Sequence, residues 1–292
     1  MTETDSHLQM PGWALVPSVA RIWDYVTGGT DNYPADRALA GQLRQEAPWL
    51  PQAVRSSRSY GQRAVEYMAR AGITQFLDLG CGMPFHFPAT PSNSLHTYDA
   101  AAPFCAASVV YVDNDPVVYG HAKMVLAEWT GTVAVQADVR EVGRLLNHQD
   151  VVSVINLSRP VAVLGHDLLC WMSDEDATRV VAELHEGLAP GSALSVAHAT
   201  TDTAPDAMAA LAGLYAEHGI VFRPRSHEHI EQLLGPWTPV DPGLVAPVLW
   251  PEPPDSQLPG TGQCHAYAAV ALHQPERTAP PAPVSAPAPA WG

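Results

Sequence analysis

The chain has 292 residues, 47% of them hydrophobic, which suffices for the core of one large α/β domain. Fifteen basic residues against thirty acidic ones give a net charge of −15, which disfavours a nucleic-acid backbone or an anionic membrane as partner. Four scattered cysteines without a CxxC pair predict neither a zinc site nor a disulfide framework.

The opening MTETDSHLQMPGW lacks a basic-then-apolar leader, and no stretch approaches the ~20 apolar residues of a membrane span, so a cytoplasmic protein is expected. Residues 1–12 are polar and predicted to fray. In the helix expected over 18–27, Val19, Ile22, Trp23 and Val26 form one apolar stripe, ended by Gly28 and Gly29. Pro34 opens a second helix to about 45, and a third covers 54–70. Its Arg55 and Arg58, with Arg63 and Arg70, read as a solvated basic face. These helices, within 13–72, are expected to cover a ligand cleft. Gly28 and Gly29 are then either lid hinges or an ordinary loop, and Tyr25, Asp31 and Asn32 are candidate lid or substrate groups.

A nucleotide-type domain is expected over 73–274. Its first strand ends in Asp78-Leu79-Gly80-Cys81-Gly82, where glycines suit a strand-to-helix corner that a ligand approaches closely. Four prolines between 84 and 103 leave room for only a short helix near 94–101. The next strand, 109–112, runs into Asp113, an acid placed to accept both hydroxyls of a ribose, with Asn114 behind it. The third glycine of a dinucleotide fingerprint is missing, since Phe85 holds that position, so a nucleoside without a pyrophosphate is favoured.

Helix 116–129, strand 133–137 and a short helix over 141–146 follow, then an ambiguous apolar run at 151–155 and a strand at 161–164. Ser173 caps a helix whose first turn is acidic, and strand 193–197 comes after Gly191. Helices near 204–218 and 227–234 form a late insertion. Strands at 245–249 and 266–272 are expected to close the sheet antiparallel. The Ala/Pro-rich tail, 275–292, is predicted to be disordered.

The run D-x-G-x-G, VDNDP and QADV resembles the S-adenosylmethionine-dependent methyltransferases. Within them PSVAR (17–21), GGTDNY (28–33), ADRAL (35–39), YVDNDPVV (111–118), SRPVAVL (158–164) and SVAHAT (195–200) resemble one bacterial family of largely unassigned substrate. The resemblance spans roughly 17–272 and implies a Rossmann-like methyltransferase fold with a parallel-dominated seven-stranded sheet. It also implies S-adenosyl-L-methionine as cofactor and a small-molecule methyl acceptor. Gly80, Cys81 and Gly82 would border the cofactor's amino-acid portion and Asp78 would attract its ammonium. Asp138 would accept from the adenine amino group, with the Val139 amide facing a ring nitrogen. Gly165 would leave room for the transferred methyl.

Two histidines are candidates for acid–base work, because an imidazole titrates near neutrality. His198, expected one residue past strand 193–197, is preferred on the acceptor side, and His166 follows strand 161–164. Many small-molecule methyltransferases carry a Leu-His pair here, which in this chain is Leu169-Cys170, so a shared substrate does not follow. Cys170 reads as a buried small hydrophobe rather than a nucleophile. Two alternatives stay open: a non-methylating, cyclisation-type reaction at the same cofactor site, or a non-catalytic S-adenosylmethionine-binding protein.

Overall fold

The computed structural model describes residues 11–84, 96–126, 129–251 and 264–274. The tail at 275–292, the first ten residues and Phe85 lie outside them. Three helices, α1 (Val19–Thr27), α2 (Pro34–Glu46) and α3 (Leu50–Arg70), precede the sheet. There follow β1 (Gln75–Leu79), α4 (Thr97–Ala101), β2 (Ser108–Asp113), α5 (Pro116–Leu126), β3 (Thr132–Gln136), α6 (Val142–Leu146), α7 (Gln149–Val154) and β4 (Ala162–His166). Then come α8 (Asp174–Gly187), β5 (Ala193–Ala199), α9 (Pro205–Glu217), α10 (His227–Leu233), β6 (Thr238–Pro239) and β7 (Ala266–Leu272).

The sheet runs β3-β2-β1-β4-β5-β7-β6, with the first five strands parallel and β7 antiparallel to both neighbours. Parallel strands are buried on both faces, and their side chains divide accordingly. Leu77, Val110 and Val163 point to one layer, with Val180, Val181 and Leu184 of α8. Their neighbours Phe76, Val109 and Ala162 point to the other, where Tyr60, Ala64 and Met68 of α3 meet them. Helix α3 is thus one of the sheet's own layers. Only α1 and α2 stand apart, sharing a third cluster with α9 through Ile22, Leu39, Leu43 and Leu211. Each of these fully buried aliphatic side chains stabilises the fold by roughly 1.5–3 kcal/mol.

One open reading is resolved and one local expectation needs correction. The apolar run at 151–155 is mostly the short helix α7, whose first turn is capped by the His148 side chain accepting from the Asp150 amide. The strand expected at 245–249 is instead one bridge, Val245 to Ala268, followed by a 3-10 turn, Pro247–Leu249. Two prolines, Pro247 and Pro251, remove amide donors there. The edge strand beyond β7 is the two-residue β6. Ser173 does cap α8, accepting from the Asp176 amide at 3.1 Å.

The order reverses at β1, which has β2 on one side and β4 on the other. A crevice opens at the carboxyl ends of strands at such a point.

Candidate functional site

That crevice is a cavity of about 680 Å³. Its floor is the turn after β1. Gly80 and Gly82 have φ of +64° and +66°, a region side-chain-bearing residues enter at a cost. A Cβ on Gly80 would lie 2.9 Å from Leu168 Cδ1, and one on Gly82 would lie 2.7 Å from Arg58 Nη2. Arg58 therefore crosses the turn, donating to the Cys81 carbonyl at 3.2 Å. The basic face expected on α3 does not exist as such. Arg63 donates to the carbonyls of Trp250 and Pro247, and Arg70 packs over the Phe104 ring. Arg58, Gly61, Gln62 and Val65, one helical stripe, line the cavity. The clue in the sequence was Gly61 inside a helix, where a Cβ would sit 2.9 Å from His166 Nδ1.

Asp113 closes the end of β2. Its Oδ2 accepts from the Gly82 amide at 3.1 Å and its Oδ1 from the Asp115 amide at 2.9 Å. The residue is only 9% exposed, and burial pushes its carboxyl up to about 6. Each oxygen keeps a lone pair for a further donor, so a pair of vicinal hydroxyls fits. Asp78 accepts from Thr97 Oγ1 at 2.6 Å, and burial raises its pKa as well. Cys81, Asn114 and Val139 also line the cavity.

Asp138 lines it too, but its carboxylate is clamped by Arg140, with Nη2 2.6 Å from Oδ2, which holds its pKa low. An adenine amino group would have to share that carboxylate. Asp115 caps the helix that follows, its Oδ1 accepting from the Val117 amide at 2.8 Å. Its Oδ2 also accepts from Ser18 Oγ at 2.5 Å and Arg21 Nη1 at 3.0 Å. That contact pins α1 over the cleft.

The carboxyl end of β4 differs from expectation because the strand runs two residues further. Gly165 lies inside it and does not line the cavity; an added Cβ there would meet nothing nearer than Ser195 O at 3.8 Å. It therefore clears no space for a methyl group. His166 does line the cavity. Its Nε2 is 2.7 Å from Ser195 Oγ, which is 2.9 Å from Tyr60 OH, and Tyr60 donates to the Ala269 carbonyl at 2.7 Å. A carbonyl only accepts, so the single Tyr60 proton is committed to it. The Ser195 proton must then go to Tyr60, and His166 must carry its proton on Nε2. Burial, then the Arg58 charge, push this imidazole down to about 3. It is a neutral wall group.

His198 does not reach the cleft. Strand β5 continues to Ala199, so His198 sits within it, 1% exposed and outside the cavity lining. Its Nδ1 is 2.8 Å from the Ala199 carbonyl and its Nε2 is 2.7 Å from Arg225 Nη1, inside a closed network with Asp174. Burial pushes it down to about 3. The expectation of an acceptor-side base at His198 is overturned, because two more strand residues turn its side chain into the protein.

The Gly28–Tyr33 turn is an ordinary loop rather than a cavity wall. Asp24 accepts there from the Asp31 amide at 2.9 Å and Asn32 Nδ2 at 2.8 Å. A Cβ on Gly29 would collide with that carboxylate. Tyr25, Asp31 and Asn32 do not line the cavity. The cover comes instead from Trp13, Val16 and the first turns of α1, through Ser18, Val19 and Trp23. The sequence reading also missed Asp167, which lines the cavity just past β4. Cys170 is buried, its thiol donating to the Asp167 carbonyl at 3.3 Å, and burial raises its pKa well above normal.

No helix of the described residues is long and apolar enough to cross a membrane. Residues 13–274 match the model of a family described as S-adenosyl methyltransferase. A Thermobifida fusca protein, whose crystal structure is presented as that of a candidate methyltransferase, is 35% identical, with 92% of this chain and 100% of that one covered and a TM-score of 0.81. A DUF574 family protein from Streptomyces avermitilis is 33% identical, covering 89% and 98%, with a TM-score of 0.80. No curated protein matches the chain in sequence.

Proposed function

The chain belongs to the S-adenosyl methyltransferase family, and from that premise we propose that its cavity seats the cofactor along the ends of β1, β2 and β3 and a small organic acceptor under the N-terminal cover. The enzyme is an S-adenosylmethionine-dependent methyltransferase. S-adenosylmethionine supplies a methyl group already activated on a sulfonium, so the protein's work is to bind, align and exclude water.

Asp113 carries the reading: a buried carboxylate inside the cavity, braced by two backbone amides and able to accept from both ribose hydroxyls. Around it, we assign Arg58 over the glycine turn to the cofactor's carboxylate and Asp78 to its ammonium. The Val139 amide is assigned to an adenine ring nitrogen. Asp138, held by Arg140, is assigned a secondary part in accepting from the amino group. Trp13 and Trp23 close the cavity over the acceptor, with α1 fixed by the Arg21–Asp115 pair.

The net charge of −15 supports a small acceptor rather than a nucleic acid, and we assign the protein to the cytoplasm. Calorimetry with S-adenosylhomocysteine tests the assignment. Binding to the wild type that falls with Asp113→Ala is expected, with no competition from NAD. Equal competition by NAD, or no loss in the variant, overturns it.

A further inference from the structure

Asp167 follows β4 with φ of +52°, a left-handed conformation uncommon outside glycine that aspartate and asparagine adopt more readily than other residues. Its amide donates to the Ala197 carbonyl at 2.8 Å, which fixes the backbone against β5. The residue lines the cavity. Ser57 Oγ of α3 donates to its Oδ2, while Oδ1 has no hydrogen-bond partner among the described residues. A left-handed residue with a half-satisfied carboxylate on a cavity wall is a mark of a working site rather than a structural one. Burial, opposed by the Ser57 hydrogen bond and the Arg58 charge, pushes this carboxyl up to about 6.

The other acids of the cavity have work already. Asp113 braces the glycine turn, Asp115 latches α1 and Asp138 is held by Arg140. Asp78 is the assigned partner of the cofactor's ammonium. His166 is a poor base: its Nε2–H is committed to the relay that ends at Ala269, and burial with the Arg58 charge pushes the imidazole down to about 3. Four residues beyond Asp167, Trp171 lines the same cavity and meets Trp23 of α1 edge to face at 6.0 Å. Aromatic rings that share a cavity with a carboxylate suit a cation on an apolar frame.

We propose that Asp167 is the acceptor-binding residue of this enzyme and that the acceptor is a small organic amine on an apolar or aromatic skeleton, its nitrogen held at Oδ1. The proposal rests on the methyltransferase reading above. In the step, an ammonium N–H proton passes to Asp167 and leaves a free amine. The nitrogen lone pair forms the new N–CH₃ bond, and the C–S bond breaks with its electron pair staying on sulfur. The products are the methylated ammonium, S-adenosylhomocysteine and a protonated Asp167, which returns its proton to solvent. Acceptors that are carboxylates or phosphates are excluded by charge: they would meet Asp167 at close range in a low-dielectric cavity.

The test is calorimetry on protein saturated with S-adenosylhomocysteine, titrated with benzylamine, phenethylamine and tryptamine, and with the anions phenylacetate and indole-3-acetate. At least one amine is expected to bind at least tenfold tighter than its anionic counterpart. Asp167→Asn keeps the shape and tolerates the left-handed backbone. It should weaken that amine at least tenfold and change S-adenosylhomocysteine affinity less than twofold. Absence of amine binding, an anion binding as tightly as its amine, or unchanged amine affinity in the variant each overturn the proposal. The comparison of amine with anion needs only the wild type, so it stands even if the variant folds poorly. Failure to bind S-adenosylhomocysteine would instead strike the underlying reading, which separates the two.

Discussion

The Gly82 amide donates to Asp113 Oδ2 at 3.1 Å, joining the turn after β1 to the tip of β2 across 31 residues of chain. One bond thus sets the distance between the surface that a cofactor's amino-acid end would approach and the carboxylate that its ribose would reach. Arg58 lies against the same glycine, so turn, acid and cation are one mechanical unit.

Gly82→Ala should break that unit. The left-handed φ of +66° costs ~1–2 kcal/mol for alanine, and the new methyl group displaces Arg58. Urea unfolding should register the loss, and calorimetry should show weakened S-adenosylhomocysteine binding. Gly165→Ala, whose Cβ has ordinary clearance, should leave both unchanged.

Binding of the cofactor should depend on pH through Asp113. Hydroxyl donors favour its ionised form, so cofactor binding lowers a pKa that stands near 6 in the free protein. Affinity should be level above about pH 7 and fall as the pH drops through 6, approaching tenfold per unit below it. A flat affinity from pH 7.5 to 5 would remove Asp113 from the ligand.

The stability of the free protein should move the other way. Asp113 and Asp167 titrate near 6 when folded, against 3.8 for an ordinary aspartate. Between those values the folded state binds more protons, so these two groups add stability as pH falls through 6 and withdraw it as pH rises. Substituting both with asparagine should flatten that contribution in a pH series of urea midpoints.

His198→Ala should behave as a structural lesion. It deprives buried Arg225 of its contact with Nε2 and opens a cavity, at a cost of ~1–3 kcal/mol. Turnover measured well below the melting temperature should stay within about twofold, whereas a hundredfold fall, within the range typical of general-base loss, would restore His198 to the mechanism.

Arg21→Ala should release the cover. Its guanidinium is 2% exposed and bonds Asp36, Asp115 and the carbonyls of Trp13 and Val16. Removal leaves Asp36, fully buried, without its cation, at a cost of ~3–5 kcal/mol. Hydrogen exchange at 13–23 should accelerate, and Arg21→Lys should restore little, because an ammonium cannot span the same fork of acceptors.

Local chemistry made much of this legible in the chain itself. The alternating or continuous apolar runs of β1, β2 and β4 and the capped start of α8 depend on nearest neighbours, and each forms the expected kind of element, though β4 ends two residues later. So does the placing of Gly80, Gly82, Asp78 and Asp113 at strand ends, because a glycine turn and an acid carry their conformational demands with them. Strand length was not legible. Whether β4 and β5 stop at residues 164 and 197 or continue to 166 and 199 is decided by pairing, His166 with Ala197 and His198 with Tyr267. With a two-residue side-chain period, those extensions put His166 against the cavity and His198 inside the protein. Arg58 and Asp167 were hidden for the same reason: one belonged to a helix whose buried face only the sheet could select, the other to a left-handed turn that β5 imposes through the Ala197 carbonyl. The sequence determined which glycines and acids stand at the ends of β1 and β2, and packing between distant segments decided which of the other side chains line the cavity.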